Sequence, residues 1–293
     1  MQPSGQPVVT TLIAQLQGEV ALAACAARLS ADWGSSVDWL GPAACDIAYD
    51  RVDEALVRSA IANQPIDVVI QPAEGRKKRL LVADLESTII ENEMLEELAD
   101  FLGMRAHVAE ITRQAMNGEI DFVGALTGRV MMLRGLPESV LAEAAASIRL
   151  MPGAAALIAT LKQHGVHTAL VSGGFTVFAE PIARQLGFDQ VIANRLDIVD
   201  GKIAGTVQPP IVGAQTKHDT LVALAAEFGL GLDETLAVGD GANDLPMLQA
   251  AGLGIAFRAK PAVAAASRWR IDHADLTALL YAQGYRRDEF IEQ

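Results

Sequence analysis

The stretch "LLVADLESTIIENE", residues 80–93, is the most informative part of the sequence for the fold. Its leading apolar residues run directly into Asp84 and Glu86, and the hydroxyl side chains of Ser87 and Thr88 follow. A short apolar run that ends in acids is typical of a central parallel strand whose carboxyl end is functional. Side chains two residues apart point to the same side of an extended strand. The stretch therefore predicts a buried strand that presents two carboxylates at one edge of a parallel sheet.

The residues downstream alternate between helix and strand patterns from Pro152 onward. Strands that alternate with helices predict a doubly wound parallel sheet, and so an α/β fold class. Before this region, residues 92–148 contain no convincing strand and have the pattern of four helices, punctuated by Gly103, Gly118 and Gly135. We therefore expect a small helical cap inserted after the first strand of the sheet.

The residues before the first core strand predict a separate small unit. Residues 7–72 have the pattern β-α-β-α-β, with Gly41 and Pro42 interrupting the middle strand region. The polar and basic stretch "PAEGRKKR", residues 72–79, predicts a solvated linker rather than a nucleic-acid contact. The predicted division is an N-terminal domain over 1–75, a catalytic core over 76–91 and 149–293, and a helical cap over 92–148.

The composition narrows the class of protein. The chain has 293 residues, of which 51% are hydrophobic, enough for a sizeable core in one or two domains. Its net charge of 23 − 36 = −13 argues against nucleic acid as a partner but leaves small anionic substrates open. Cys25 and Cys45 lack the spacing of metal-binding cysteines, so we expect both to be reduced thiols. Without a transmembrane-length apolar run or a signal-peptide pattern, we expect a cytoplasmic protein with no membrane partner.

Polar side chains follow three of the predicted strands. They are Asp84 and Glu86 after the first, Ser172, Gly173 and Gly174 after the second, and Asp240, Asn243 and Asp244 after the third, with Lys217 at the start of a helix. Carboxylates at strand ends suit a hard cation such as Mg²⁺, while hydroxyl, amide and lysine groups suit phosphoryl oxygens. One carboxylate can attack phosphorus to form an acyl phosphate, and a second can move protons. Each piece alone is usually a turn, a cap or a surface lysine, but that interpretation does not explain their joint order on alternating strand ends.

Three motifs carry a resemblance to a known family: "DLEST", "VSGGF" and "GDGANDLPML", with Lys217 before the last of them. From residue 80 to about residue 280, the chain resembles the haloacid dehalogenase (HAD) superfamily. The stretches "NEMLEELA", "AMNGEIDFVGALTGRVMMLRGL" and "VSGGFTVFAEPIARQLGFDQVIANRL" narrow the resemblance to its phosphoserine phosphatases, which carry a small helical cap. The resemblance implies a Mg²⁺-dependent hydrolase that converts O-phospho-L-serine to L-serine and phosphate through an aspartyl phosphate, the last step of serine biosynthesis.

The resemblance also implies roles for individual positions. Asp84 is expected as the nucleophile, Glu86 as the general acid and base, and Lys217 as a catalytic phosphate-binding side chain. The expected metal ligands are Asp84, Asp240 and the backbone carbonyl of Glu86, with Asp244 in support. The expected substrate-binding residues of the core are Ser172, Gly173 and Asn243.

In the cap, Glu93 and Arg129 match the groups that recognise the ammonium and the carboxylate of the substrate. Arg suits a carboxylate because its planar fork binds both oxygens. Met116 and Phe122 match apolar residues that close over the site. From the residues alone, other roles are open. Glu93 could lie on a solvated helix face, and Arg129 could form a structural ion pair. Met116 and Phe122 could belong to the apolar core of the cap.

Position 86 departs from the family pattern, which usually has Asp there. Glu adds one methylene and moves the carboxyl by about 1.5 Å when extended, and a displacement near 1 Å can lower a rate about 100-fold. The reference pKa values are close, about 4.3 for Glu and about 3.9 for Asp. We therefore expect an active enzyme. The alternatives are a phosphatase or phosphotransferase for another small phosphomonoester, and a catalytically weakened phosphoserine-binding protein.

Residues 1–75 resemble, by position and element order, the small ACT-like extension ahead of some bacterial phosphoserine phosphatases. Such a domain could bind an amino acid, support a homodimer, or only pack against the core. The expected fold is thus an α/β, HAD-like Rossmannoid core with an inserted helical cap and an N-terminal α+β domain.

Overall fold

The computed structural model describes residues 7–15, 17–50 and 53–292. Residues 1–6, which begin the predicted N-terminal domain, lie outside these ranges, as do residues 16, 51, 52 and 293. Residues 51 and 52 include the start of the predicted second helix of that domain. The described chain forms a four-stranded sheet, a six-stranded sheet and a two-stranded hairpin.

The N-terminal unit is an antiparallel sheet with two helices. Its elements are β1 (Val8–Ala14), α1 (Glu19–Trp33), β2 (Val37–Gly41), β3 (Ala44–Tyr49), α2 (Glu54–Ala60) and β4 (Ile66–Pro72). The strand order across the sheet is β2-β3-β1-β4. The predicted β-α-β-α-β order is wrong, because Pro42 cannot continue a strand ladder and the chain reverses there, pairing Gly41 with Ala44. The observed order is β-α-β-β-α-β.

Strand β5 (Leu80–Ala83) leads into the helical cap, whose four helices occur in the predicted region. They are α3 (Met94–Asp100), α4 (Arg105–Met116), α5 (Phe122–Met132) and α6 (Ser139–Ala145). The two segments that join cap and core pair with each other. Glu91 donates its N–H to the Arg149 carbonyl at 2.9 Å, and Met151 donates to Ile89 at 2.9 Å. This pairing holds the two connections together, although the division of the chain into domains stays a prediction.

The rest of the chain alternates between helices and strands. Its elements are α7 (Ala154–Gln163), β6 (His167–Phe175), α8 (Thr176–Leu186), β7 (Gln190–Asn194), β8 (Leu196–Val199), β9 (Lys202–Val207), α9 (Ala214–Glu227), β10 (Thr235–Gly239), α10 (Leu245–Ala250), β11 (Leu253–Phe257), α11 (Pro261–Ala266), β12 (Trp269–Ile271) and α12 (Ala278–Ala282). Strand β12 and helix α12 extend the fold beyond the last strand predicted from the sequence.

The six-stranded sheet is the core of the molecule, and its strands pair in parallel in the order β12-β11-β10-β5-β6-β7. Strand β5 lies in the interior of the sheet, and all of its residues are buried. Leu80 and Val82 pack in an apolar cluster with α9, while Leu81 and Ala83 pack in a second cluster that includes α7. The two clusters bury both faces of the strand, which explains its continuous apolar run. The predicted doubly wound parallel sheet is confirmed.

The two-stranded sheet, β8 and β9, is an antiparallel hairpin outside the core sheet. Asp200 and Gly201 form its turn with φ values of 50° and 69°, the left-handed conformation that such two-residue turns require. The hairpin meets the cap, because Gly135 donates its N–H to the Ile203 carbonyl at 2.8 Å. The cap is therefore supported by the hairpin as well as by its two connecting segments.

The N-terminal unit docks onto the core through Asp67 of β4. Its carboxylate accepts the backbone N–H groups of Asp272, His273 and Ala274 at 2.8–3.3 Å. These amides follow β12, so the contact ties one edge of the N-terminal sheet to one edge of the core sheet.

The basic linker between the two units is partly buried, so the prediction of a solvated linker is wrong for two of its residues. Arg76 pairs with Asp46 of β3 at 2.7 Å. Lys78 is 7% exposed and donates from Nζ to the carbonyls of Gly75 and Asp233 at 2.8 and 2.7 Å. These two cations hold the linker against both units.

Cys25 and Cys45 are both buried and free, as expected of reduced thiols. Burial raises the pKa of Cys45 to about 12, so its thiol stays protonated at neutral pH. Over the described ranges of the chain, no helix combines the length and apolar character needed to cross a membrane.

Candidate active site

The carboxyl end of β5 carries Asp84 into contact with a buried lysine. Lys217, in the first turn of α9, donates from Nζ to Asp84 Oδ1 at 2.5 Å and to Asp244 Oδ1 at 2.6 Å. The side chain of Lys217 is fully buried. Burial alone would lower the pKa of Lys217, but the two carboxylates raise it overall, so the ammonium stays charged. The lysine therefore links two strand ends that are far apart in the chain.

Asp244 is held by protein donors on both of its oxygens. Besides Lys217 on Oδ1, the backbone N–H groups of Asp240 and Gly241 donate to Oδ2 at 3.1 and 2.9 Å. Its oxygens are thus engaged in shaping the loop between β10 and α10. This arrangement fits the supporting role predicted for Asp244.

Asp240 and Asn243, by contrast, keep buried oxygens free. Asp240 Oδ2 and Asn243 Oδ1 are both buried and accept no hydrogen bond from any described residue. Lys260 Nζ forms an ion pair with Asp240 Oδ2 at 3.2 Å, while Asn243 Oδ1 has no such partner among the described residues. Buried acceptors without a donor are rare, and at a functional site they indicate a missing ligand.

These oxygens fit a magnesium ion. Ligand oxygens of Asp84, Asp240 and Asp244 all lie within 4.8 Å of one another. Mg²⁺ takes oxygen ligands at about 2.0–2.1 Å in an octahedral arrangement, usually with one or two carboxylates, waters and substrate phosphate. Because the oxygens of Asp244 are engaged, Asp84 and Asp240 are the carboxylates with room to bind the ion.

The acidic site is strained electrostatically without a cation. Burial raises the pKa of Asp84 to about 7, although Lys217 opposes the shift. Burial and the nearby Glu93 raise the pKa of Asp240 to about 7. A divalent cation would relieve both shifts, because it favours the ionised carboxylates.

The end of β6 lines the same cavity as Asp84 and Asp240 through Gly173. Gly174 donates its N–H to Ser172 Oγ at 2.9 Å. A side chain on Gly173 would approach the Phe122 ring of the cap to 2.6 Å, so only glycine lets the ring lie on this loop. Asn194 donates from Nδ2 to the Gly173 carbonyl at 2.8 Å and fixes the loop from behind.

Glu86 reaches the start of the cap. Its Oε1 accepts the backbone N–H of Met94, the first residue of α3, at 2.9 Å. A side chain on Gly174 would approach the Glu86 carboxyl to 3.0 Å, so that glycine leaves room for the longer acid. Burial and the charge of Glu93 raise the pKa of Glu86 to about 8. In the metal-free protein, this raised pKa favours the protonated form of Glu86 at neutral pH.

The cap brings two charged side chains, Glu93 and Arg129, to the cavity of the candidate site. Ser87, whose φ is 53°, donates from Oγ to Glu93 Oε1 at 2.6 Å. Arg129 of α5 is only 3% exposed and donates from Nη1 to Thr112 Oγ1 at 2.7 Å. Among the described residues, neither Glu93 nor Arg129 has an oppositely charged group within ion-pair distance.

Met116 and Phe122 close the cap over the core. The Met116 carbonyl accepts the N–H of Ala242 at 2.8 Å, in the same loop as Asp240 and Asn243. The enclosed cavity has a volume of about 20 Å³, room for little more than a water molecule.

The structure brings the predicted site residues together. Those that line the cavity are Asp84, Glu86, Glu93, Met116, Phe122, Arg129, Gly173, Asp240 and Asn243. Ser172, Lys217 and Asp244 lie directly behind them through the hydrogen bonds described above. Sequence reasoning missed Asn194, the last residue of β7, and Lys260, which follows β11. The ends of core strands were the signal that predicted Asp84, Ser172 and Asp240.

Comparison with known proteins places the chain in a family. Residues 81–249 match the model of the haloacid dehalogenase-like hydrolases. A phosphoserine phosphatase of Streptomyces coelicolor is 41% identical over 297 residues, covering 97% of this chain and 72% of that protein. Phosphoserine phosphatase SerB2 of Mycobacterium tuberculosis is 44% identical over 230 residues, covering 78% of this chain but only 56% of that protein. The crystal structure of a HAD family hydrolase from Salmonella enterica serovar Typhi superposes with a TM-score of 0.82 at 30% identity, covering 94% of this chain and 98% of that one.

The chain belongs to the haloacid dehalogenase-like hydrolases, because the family model matches more than half of its length. Within that class, it belongs to the phosphoserine phosphatase family.

Proposed function

We propose that this chain is a Mg²⁺-dependent phosphatase that hydrolyses O-phospho-L-serine to L-serine and phosphate through an aspartyl phosphate on Asp84. Its phosphoserine phosphatase relatives support this function. The assembled strand ends supply a nucleophile, a proton donor and a phosphate cradle around one cavity.

The substrate assignment rests on one observation: Arg129 is buried but has no oppositely charged partner among the described residues. A charged side chain is almost never fully buried unless it is paired. Arg129 is 3% exposed, yet its hydrogen-bond partners in the described chain are the Thr112 hydroxyl and the Ala125 carbonyl, both neutral. A carboxylate from the substrate would complete the pair, and Glu93, which lines the same cavity, would receive an ammonium group. Phosphoserine offers both groups beside its phosphate.

In the first half of the proposed reaction, an Asp84 oxygen attacks phosphorus and the bond to the serine oxygen breaks. Glu86 is protonated at neutral pH because its pKa is raised to about 8, and its proton passes to the departing alkoxide. Lys217 and the loop around Ser172 neutralise charge on the phosphoryl oxygens as the bond breaks.

In the second half, Glu86 is a carboxylate and accepts a proton from water as the water oxygen attacks phosphorus. The aspartyl bond breaks, Asp84 is regenerated, and phosphate leaves. Bound Mg²⁺ would supply positive charge that stabilises the phosphoryl oxygens. Asp84, Asp240 and the backbone carbonyl of Glu86 are the groups proposed to hold it, as the free oxygen of Asp240 supports.

Phosphate release from O-phospho-L-serine with Mg²⁺ tests the proposal. The wild-type protein should release phosphate, and Asp84→Asn should lower the rate by about 10⁴-fold or more because the nucleophile is lost. The same substrate with chelator in place of Mg²⁺ is the second control. Wild-type release no faster than that of Asp84→Asn would reject the function.

The remaining predictions concern the surroundings of the enzyme. A cytoplasmic location, a homodimer and an amino-acid ligand for the N-terminal unit stay predictions. Sedimentation of the full chain with and without L-serine would test the last two.

A further inference from the structure

We propose that Thr112 is a positioning residue for substrate specificity, which holds Arg129 in the orientation that receives the substrate carboxylate. Thr112 lies on α4, and Arg129 lies on the neighbouring helix α5. The inference rests on the proposed function, because it assumes that Arg129 binds a carboxylate of the substrate.

The contact is buried and short. Thr112 and Arg129 are each 3% exposed, and Arg129 Nη1 donates to Thr112 Oγ1 at 2.7 Å. Water does not compete for a buried contact of this kind, so it is stronger than the same hydrogen bond at a surface. The hydroxyl is therefore a fixed anchor for one end of the guanidinium.

A second contact fixes the other end. Arg129 Nε donates to the Ala125 carbonyl, one turn earlier in the same helix, at 3.0 Å. A guanidinium has five N–H donors, and these two contacts engage two of them. The remaining three lie on the terminal nitrogens, and Arg129 lines the cavity beside Asp84 and Asp240. The orientation set by Thr112 thus leaves a free fork for a carboxylate.

The need for an anchor follows from the length of the side chain. Arg carries many rotatable bonds, and fixing them when the ligand binds would lower affinity. Thr112 has no charge, so it orients the guanidinium without neutralising it.

The test compares two substrates that differ only in the carboxylate: O-phospho-L-serine and O-phosphoethanolamine. Thr112→Val keeps the shape of the side chain and removes the hydroxyl. It should lower kcat/KM for phosphoserine about tenfold, the effect of one hydrogen bond to a charged group, mainly through a higher KM. The loss for phosphoethanolamine should be much smaller. Thr112→Ser, which keeps the hydroxyl, should restore the preference for phosphoserine to within about threefold of wild type.

Two controls separate positioning from general damage. Thr127→Val removes a hydroxyl that is exposed on α5 and bonds only to the Val123 carbonyl, and it should leave both substrates unaffected. Inhibition by inorganic phosphate reports on the core site, and its inhibition constant should not change in Thr112→Val. If the valine variant does not fold, Thr112→Ala replaces it with the same expected ratio.

The outcomes distinguish this inference from the proposed function. Equal losses on both substrates in Thr112→Val, or no loss on either, would overturn the role of Thr112. If Arg129→Gln in that case still lowers kcat/KM for phosphoserine more than for phosphoethanolamine, the proposed function stands. A wild-type protein that hydrolyses phosphoserine with no preference over phosphoethanolamine would overturn the carboxylate-binding role of Arg129 and with it the role of Thr112, whereas only the absence of phosphoserine hydrolysis would overturn the proposed function.

Discussion

The strand ends of the core and the inner face of the cap differ in whether their buried charged side chains have ion-pair partners within the protein. In the core, the buried Lys217 pairs with Asp84 and Asp244 at 2.5 and 2.6 Å, so this cation has its partners within the protein. In the cap, Arg129 and Glu93 are held by the hydroxyls of Thr112 and Ser87 and have no ion-pair partner among the described residues. In the proposed function, the core binds phosphate and metal, whereas the cap binds a ligand with one positive and one negative group.

This difference assigns the chemistry on the phosphoryl group to the core and the selection of the substrate to the cap. Changes at the core strand ends should affect every phosphomonoester, since all of them present the same phosphoryl group. Changes in the cap should affect only a substrate that carries the matching charges. Each prediction below tests one side of that comparison.

The largest effect is expected from Lys217→Met, which leaves two buried carboxylates without their cation. In metal-free protein at pH 8, the free energy of unfolding should fall by about 3–5 kcal/mol, measured by urea denaturation. Turnover of p-nitrophenyl phosphate and phosphoserine should both be lost. Lys202→Met, at an exposed lysine of β9, is the matched control. A loss below about 1 kcal/mol would mean that the buried pairs do not stabilise the core.

The next effect is expected from Glu86→Gln, which removes the group that moves protons but keeps its shape. Turnover of phosphoserine should fall about 10²–10⁴-fold. Glu86→Asp keeps the acid but shortens it, so the contact with the Met94 N–H should be lost and turnover should be intermediate. Steady-state rates of the three proteins provide the comparison. A glutamine variant as active as wild type would remove Glu86 from the mechanism.

A smaller effect is expected in the pH dependence of Mg²⁺ binding. In metal-free protein, the pKa values of Asp84 and Asp240 are raised to about 7, so protons compete with the ion below that pH. From pH 8 to pH 6, the apparent Kd for Mg²⁺ should rise about 10-fold if one carboxylate must lose its proton and about 100-fold if both must. Titration calorimetry measures this directly. An affinity that does not change with pH would contradict the raised pKa values.

The comparison also explains how far the sequence could predict the structure. Asp84, Ser172 and Asp240 were predictable as neighbours, because the carboxyl ends of parallel strands meet at one edge of a sheet. The N-terminal hairpin at Gly41 and Pro42 was missed, since a strand broken by proline and a tight turn between two strands have the same residue pattern.

The contacts that set orientation were less predictable. Thr112 bonds to Arg129 across 17 residues, and Asn194 bonds to Gly173 across 21. No local pattern encodes such pairs, because each depends on how two elements pack. Likewise, nothing in the sequence indicates that the longer side chain of Glu86 accepts the N–H of Met94.

The substrate selectivity of Arg129→Gln is the sharpest test of the division between core and cap. We expect kcat/KM for O-phospho-L-serine to fall about 100-fold or more, while kcat/KM for p-nitrophenyl phosphate falls far less. Arg134→Gln, at an exposed arginine shortly after α5, should retain the wild-type ratio of the two. Equal losses on both substrates in Arg129→Gln would contradict the division between a phosphate-processing core and a substrate-recognising cap.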